Sequence, residues 1–289
     1  MDLVSNRVLI IGIDSFTGRY LSKYLKDSGY SLYGTNRKSC NIREKENIKK
    51  ILIDIRAEYI ILLAGVASPA YGDISAFYNI NTIGAINLLE SLVELNMQPK
   101  KIILASSATV YGNLGVEILD ESLCPKPANH YGASKYSMES MASNYFNRLN
   151  IIITRPFNYT GIRQSLDFLI PKIIYHFREK RETIELGNLD VSREFNDIYF
   201  VCEVYKRLLE SSFNSEIVNI CSGREIKLLD ILNIMSDIAK YKIEIRVNPK
   251  FIRKDEIKTL KGSPKKLYSL IGRVKQRDFK ETLKDMFEA

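Results

Sequence analysis

The chain has 289 residues, room for one large α/β domain or for a domain with a smaller lobe attached. Hydrophobic residues make up 45% of it, and no apolar run reaches the length that spans a bilayer. The net charge of +8 is spread thinly in clusters such as KYLK, REKENIKK and KGSPKK, which read as solvated helix faces and loops. That pattern argues against a nucleic-acid binder, which needs a dense basic stripe, and a mild positive excess suits small anionic ligands such as nucleotides.

The opening residues MDLVSNRVLIIG carry no charged n-region, apolar core and small-residue cleavage site, so a cytoplasmic protein is expected. Cys40, Cys124, Cys202 and Cys221 are far apart, and His130 and His176 are the only histidines. Neither a zinc site nor a disulfide framework is expected from such spacing.

Along the chain, RVLIIG (7–12) reads as a buried strand, followed by a helix over about 17–28 and a second strand, SLYGT (31–35). A helix over 43–52 and a third strand, EYIILLAG (58–65), come next. A long helix over about 75–95 carries a stripe of Ile80, Ile83, Leu88, Leu92 and Leu95. A fourth strand (101–107), a helix (131–149) and a fifth strand (150–156) complete the alternation. Near-continuous apolar strands between amphipathic helices predict a parallel sheet covered on both faces, a doubly wound Rossmann-type α/β fold. After Pro156 two further helix–strand pairs, 167–187 and 199–221, fit back onto the sheet by the same rhythm. The segment from Lys227 onward, with a polar tail from Lys242, is expected to build a second lobe. This predicts a cofactor domain over 1–156 plus about 191–222, and a substrate lobe over about 157–190 and 223–289.

The first strand runs into IIGIDSFTGRYL, which places Gly12, Ser15 and Gly18 at a strand–helix turn. A glycine turn lets the backbone approach a pyrophosphate, and the helix start supplies free N–H groups. Ser15 stands where a middle glycine is expected. The second strand ends in YGTNRKS with no acid for a ribose 2′-hydroxyl; Arg37 and Lys38 instead offer charge to a 2′-phosphate. NADPH is therefore the expected cofactor, with NADH the alternative.

Taken in order, Gly12 to Gly18, LLAG (62–65), NINTIGAINLLES (79–91), SSATVYG (106–112) and YGASK (131–135) resemble the extended short-chain dehydrogenase/reductases that act on nucleotide-diphospho sugars. RPFNYTGIRQSLDFLIPKI (155–173), LGNLDVSREFNDI (186–198), VNICSGREIKLLDIL (218–232) and RKDEIKTLKGSPKKL (253–267) resemble the GDP-4-keto-6-deoxy-mannose reductase branch of that family. Departures from its pattern are Ser15, Glu194 in place of aspartate, and Lys254 in place of proline.

The resemblance makes Tyr131 and Lys135 a catalytic pair. Their i, i+4 spacing puts both on one helix face, whereas Tyr136 turns roughly 100° away. A nearby ammonium and the positive nicotinamide of the oxidised cofactor are expected to stabilise the Tyr131 phenolate against its ordinary pKa near 10. Ser107, with Thr109, would polarise the sugar carbonyl, and Ser106 is expected to be structural. The dehydratases of the family carry a glutamate two residues after the catalytic Ser/Thr. Here Ala108 and Thr109 follow Ser107, which excludes 4,6-dehydration and leaves reduction or epimerisation at C4. The resemblance further implies cofactor contacts from Gly12, Ser15, Phe16, Thr17, Gly18, Asn36, Arg37, Lys38, Asn41, Ile42, Leu63, Ala64, Gly65, Tyr131, Lys135 and Pro156. It implies substrate contacts from Ser107, Thr109, Asn158, Gln164, Lys172, Arg193, Arg253 and Glu256, no metal, and a bridging role for Asn81. His130 reads as a turn residue.

The implied reaction is NADPH-dependent reduction of the C4 ketone of a nucleotide-linked 4-keto-6-deoxyhexose. A GDP sugar would give GDP-rhamnose or its C4 epimer, donors of the kind used for lipopolysaccharide O-antigen, and a dTDP sugar would give dTDP-fucose. The competing readings are a nucleotide-sugar 4-epimerase and a non-catalytic NADP-binding regulator. The apolar stripes on 75–95 and 131–149 predict a homodimer through a four-helix bundle, as in the family.

Overall fold

In a computed structural model, residues 6–67, 73–252 and 259–289 are described. The first half alternates strictly. Strand β1 (Arg7–Ile11) leads to α1 (Phe16–Asp27), β2 (Ser31–Thr35), α2 (Lys45–Ile55) and β3 (Tyr59–Leu62). A continuous helical run follows: α3 (Ile74–Ala76), a π-helical stretch (Phe77–Ile83) and α4 (Gly84–Glu94). Then come β4 (Lys101–Ala105), a 3₁₀ turn (Ala108–Tyr111), α5 (His130–Ser143) and β5 (Ile151–Pro156). The second half contains β6 (Tyr159–Thr160), α6 (Leu169–Arg178), β7 (Thr183–Leu186), β8 (Ser192–Glu194), β9 (Asn196–Asp197), α7 (Ile198–Glu210) and β10 (Glu216–Ile220). It closes with β11 (Glu225–Lys227), α8 (Leu228–Ala239), β12 (Glu244–Val247), β13 (Thr259–Leu260), α9 (Lys265–Ile271) and α10 (Phe279–Glu288).

Six strands form one parallel sheet in the order β10-β5-β4-β3-β1-β2. The chain reverses direction across the sheet between β1 and β3, and a crevice at the carboxyl ends of strands opens at such a switch point. One face packs against α1 and α7 through Leu21, Leu25, Val204 and Leu208. The other packs against α2, α4 and α5 through Leu52, Leu88, Leu92 and Met138. With both faces covered, strand residues on both sides are apolar, as the sequence shows. A separate apolar cluster joins α6, β7, α8 and α10 through Ile173, Ile184, Ile231 and Leu283, forming a smaller α/β lobe.

Three expectations need correction. Strand β7 does not return to the large sheet; it forms a two-stranded sheet with β12, because its apolar Ile184 and Leu186 are buried in the smaller cluster. The helix over 131–149 ends at Ser143, and the residues to Arg148 form successive turns. The helix over 75–95 contains a π-helical segment, in which the Gly84 N–H reaches back five residues to the Asn79 carbonyl. That extra residue per turn shifts the apolar stripe, so Leu88 and Leu92 are buried while Ile83 is 45% exposed.

Candidate active site

The strand–helix turn after β1 fits a dinucleotide phosphate for steric reasons. Gly12 has φ +96°, and a Cβ there would lie 2.6 Å from the Ala64 nitrogen at the end of β3. A Cβ on Gly18 would meet the Gly12 carbonyl oxygen at 2.4 Å. Only glycine allows both close approaches. Ser15 now has a clear role: it is the N-cap of α1, and its hydroxyl accepts the Gly18 N–H at 3.0 Å. The first-turn N–H groups of Phe16 and Thr17 have no intrahelical carbonyl to bond, which is the usual anion-binding end of a helix. The Thr17 and Tyr159 hydroxyls share a hydrogen bond at 2.7 Å, which leaves the Thr17 backbone N–H as its free donor at this turn.

At the end of β2, Asn36 closes its own turn by accepting the Lys38 N–H at 2.9 Å and the Ser39 N–H at 3.1 Å. The turn leaves Arg37 and Lys38 exposed. Asn41 donates to Glu44 at 2.7 Å. The Ile42 side chain is core, lying against Gly84, so only its backbone is left for a ligand. Leu63 and Ala64 both donate N–H groups to the Ile11 carbonyl, at 2.9 and 2.8 Å, which brings the turns after β1 and β3 together.

Ser107, Thr109, Tyr131 and Lys135 converge at the carboxyl ends of β3 to β5. Ser107 caps the 3₁₀ turn and receives a hydrogen bond from the Thr109 hydroxyl at 2.6 Å. The Ser107 hydroxyl lies close enough to the Tyr131 phenol to favour its ionised form. Lys135 donates to the Ala105 carbonyl at 2.7 Å, and a Cβ on Gly65 would come within 3.2 Å of its Nζ. Asn81, in the π-helical stretch, donates to Ser134 at 3.0 Å and accepts the Val66 N–H at 2.9 Å. It thus ties the loop after β3 to the helix that carries Tyr131 and Lys135, which matches its expected bridging role. Tyr136 packs against the cluster of Tyr111 and Phe157, and His130 is exposed with its ring nitrogen 3.1 Å from the Tyr78 hydroxyl.

Burial raises the Tyr131 pKa, with Ser107 opposing; Lys135 does not pull it down. Burial lowers Lys135 to about 8, against the pull of Glu139.

Sequence reasoning missed the base of this site. Glu139 is 1% exposed and pairs with buried Arg155 at 2.6 Å. It also accepts from the Ser106 hydroxyl, which gives Ser106 a structural role. Arg155 lies over the Tyr111 ring, 4.8 Å from its centroid, and Tyr111 donates to Asn219 at 2.8 Å. The signal was present: Tyr131, Lys135 and Glu139 recur at four-residue intervals on one helix face.

The substrate-side residues are more dispersed. Pro156 ends β5 beside Ile220. Asn158 offers its carbonyl to Asn196 at 2.8 Å. Gln164 uses both ends of its amide within its own turn, accepting from Thr160 at 2.6 Å and donating to the Tyr159 carbonyl at 3.1 Å. Lys172 donates to the Glu185 carbonyl at 3.0 Å and lies 4.6 Å from the Phe251 ring centroid. Arg193 donates to the Ser192 carbonyl at 2.9 Å from the middle of β8. Glu194 is fully buried and accepts from Asn196 at 2.9 Å, Ser222 Oγ at 2.9 Å and the Gly262 N–H at 3.2 Å. The longer carboxylate at this position is a strut that joins three chain segments. Arg253 and Glu256 lie outside the described residues. Among the described residues no group of His, Cys, Asp and Glu could hold a metal ion, and no helix is long and apolar enough to cross a membrane.

A parallel sheet with a glycine turn at its switch point and a Ser, Tyr and Lys at its strand ends defines a nucleotide-cofactor enzyme of the short-chain dehydrogenase/reductase type. The chain belongs to the NAD dependent epimerase/dehydratase family, whose sequence pattern matches residues 8–221. It is 33% identical to GDP-6-deoxy-D-talose 4-dehydrogenase of Aggregatibacter actinomycetemcomitans over 268 residues, 92% of this chain and 91% of that protein. It is 27% identical to GDP-6-deoxy-D-mannose reductase of Pseudomonas aeruginosa, covering 97% of this chain and 96% of that protein. The structure of RMD from Pseudomonas aeruginosa complexed with NADPH superimposes with a TM-score of 0.89 at 26% identity, over 98% of each chain.

Proposed function

We propose that the protein is an NADPH-dependent reductase of the C4 ketone of a GDP-linked 4-keto-6-deoxyhexose. The observation that carries this reading is the junction of Ser107, Tyr131 and Lys135 with Ala108 and Thr109, rather than a carboxylate, beside them. Without an acid to remove the C5 proton, dehydration has no base. The names of the two curated relatives supply the GDP-linked, C4-redox class.

When bound, the cofactor supplies the hydride that adds to C4. Ser107, held by Thr109, donates a hydrogen bond to the ketone oxygen as negative charge grows there. Tyr131 gives its proton to the same oxygen and completes the alcohol. The phenol enters the reaction protonated, as a proton donor must. Lys135 keeps two of its three N–H donors for the nicotinamide ribose hydroxyls. Arg37 and Lys38 answer the 2′-phosphate of NADPH. Residues 1–156 with about 191–222 hold the cofactor, and about 157–190 with 223–289 hold the sugar nucleotide. Arg193 meets the diphosphate, and Arg253 and Glu256 close on the base. Two copies pair through the helical runs 74–94 and 130–143, where Ile83 and Met141 are exposed. The product is GDP-rhamnose or its C4 epimer, used in the cytoplasm for a surface glycan.

The test offers the purified protein GDP-4-keto-6-deoxy-mannose and dTDP-4-keto-6-deoxy-glucose separately and follows NADPH absorbance. Oxidation with the GDP sugar alone is expected, and NMR of the product then reads the C4 configuration. Oxidation with neither sugar would overturn the reading and turn attention to an epimerase that retains its nicotinamide cofactor.

A further inference from the structure

The network beneath the Tyr131 helix does more than fill space. Glu139 lies two turns beyond Tyr131 and one beyond Lys135 on the same face of α5. Its carboxylate receives Arg155 Nε at 3.0 Å and the Arg155 terminal nitrogen at 2.6 Å, a forked pair closed to solvent. The Ser106 hydroxyl donates to the same carboxylate. Ser106 directly precedes Ser107, and the Lys135 ammonium is anchored one residue earlier, at Ala105. One buried carboxylate is therefore in contact with the strand end that carries Ser107, and it lies one helical turn from Lys135 on the same face of α5, where it favours the ammonium form.

We propose that Glu139 is a positioning residue for the chemistry at Tyr131, acting through Ser106 on the placement of Ser107 and through space on the charge of Lys135. The inference rests on the roles given above to Ser107, Tyr131 and Lys135. The charged and titratable groups packed around Lys135 and Glu139 are Tyr131 on α5, Arg155 on β5 and, beyond Arg155, Tyr111 and Glu121. Ser106, Ser107, Asn81 and Gly65 complete the surroundings without charge. Glu139 is the carboxylate that opposes the desolvation of Lys135, while Arg155 and Ser106 satisfy its own oxygens. A purely structural ion pair would not need to stand in register with two functional side chains.

Two variants separate the two actions. The first readout is NADPH affinity by fluorescence titration from pH 6 to 10, which needs no sugar substrate. In the unaltered protein affinity falls as pH rises past about 8, where Lys135 loses its proton. In Glu139→Gln the fall is expected about one pH unit lower, since the charge opposing desolvation is gone. Ser106→Ala keeps the carboxylate and its arginine. It is expected to leave that midpoint in place and to lower kcat about tenfold, with KM for the sugar nucleotide unchanged. Should Glu139→Gln fail to fold, Glu139→Asp replaces it, with the midpoint kept and kcat lowered about tenfold because the shorter arm releases Ser106. An unmoved midpoint in a folded Glu139→Gln, or a kcat within about twofold of the unaltered protein in Ser106→Ala or Glu139→Asp, would overturn the proposal. If the unaltered protein fails to oxidise NADPH with either keto sugar, the reductase reading fails on that result alone, and the shift of the affinity midpoint still decides the electrostatic action.

Discussion

The two sides of the cleft are built differently. On the cofactor side, positions are fixed by backbone contact and buried bonds: Gly12 against Ala64, Ser15 on Gly18, Asn81 between Val66 and Ser134, Lys135 on Ala105. On the opposite side, the polar side chains are engaged with other groups of the protein: Gln164 with its turn, Lys172 with Glu185 and Phe251, Arg193 with the Ser192 carbonyl among others. The first arrangement is ready for its ligand. The second must exchange internal hydrogen bonds for ligand contacts, which lowers the net gain of each contact. Under the proposed function, rigidity would fall where hydride and proton must meet and adaptability where the sugar nucleotide is bound.

That contrast can be broken most directly at Tyr131. Tyr131→Phe keeps the ring but removes the proton donor, and should lower kcat by about 10²–10⁴ while NADPH affinity, read by fluorescence, stays within about threefold. Retained turnover would show that another group supplies the proton. Gly12→Ala attacks the rigid side itself: the added methyl meets Ala64 in a conformation that L residues avoid. It should cost about 1–3 kcal/mol in thermal or urea unfolding, with a tenfold or larger loss of NADPH affinity. Arg37→Ser probes an exposed part of the same side. It should raise KM for NADPH by about tenfold and leave KM for NADH unchanged, equivalent to one charge-assisted contact of about 1.4 kcal/mol. The smallest effect belongs to the adaptable side, where Lys172→Met should raise KM for the sugar nucleotide by about threefold without changing kcat. If the order of the last two were reversed, the contrast between the sides would be wrong.

How much of this the sequence revealed follows the same line. The first half was legible because buried parallel strands and amphipathic helices leave strong periodic patterns, and because Gly12, Ser107, Tyr131 and Lys135 sit at strand ends and helix starts. Ser15 looked like a defect in the glycine pattern until its hydroxyl was seen to cap α1. The π-helical stretch was not legible, since one extra residue per turn imitates an imperfect α-helical stripe. Strand β7 was misplaced because a short apolar run says nothing about which sheet it joins. Glu139 and Arg155 were passed over because a pair 16 residues apart leaves no local signature, although the four-residue spacing from Lys135 offered one. The burial that raises the Tyr131 pKa was not legible either, because sequence shows neighbours but not desolvation.

The measurement that tests the central claim most directly uses NADPH deuterated at the transferable nicotinamide position, with GDP-4-keto-6-deoxy-mannose as substrate, and reads the product by NMR. The account predicts one deuterium at C4 of the sugar and one NADPH oxidised for each product formed. A sugar product formed with no net NADPH oxidation, or with protium at C4, would contradict it, because the hydride would then not pass from the cofactor to the carbon that Ser107 and Tyr131 address.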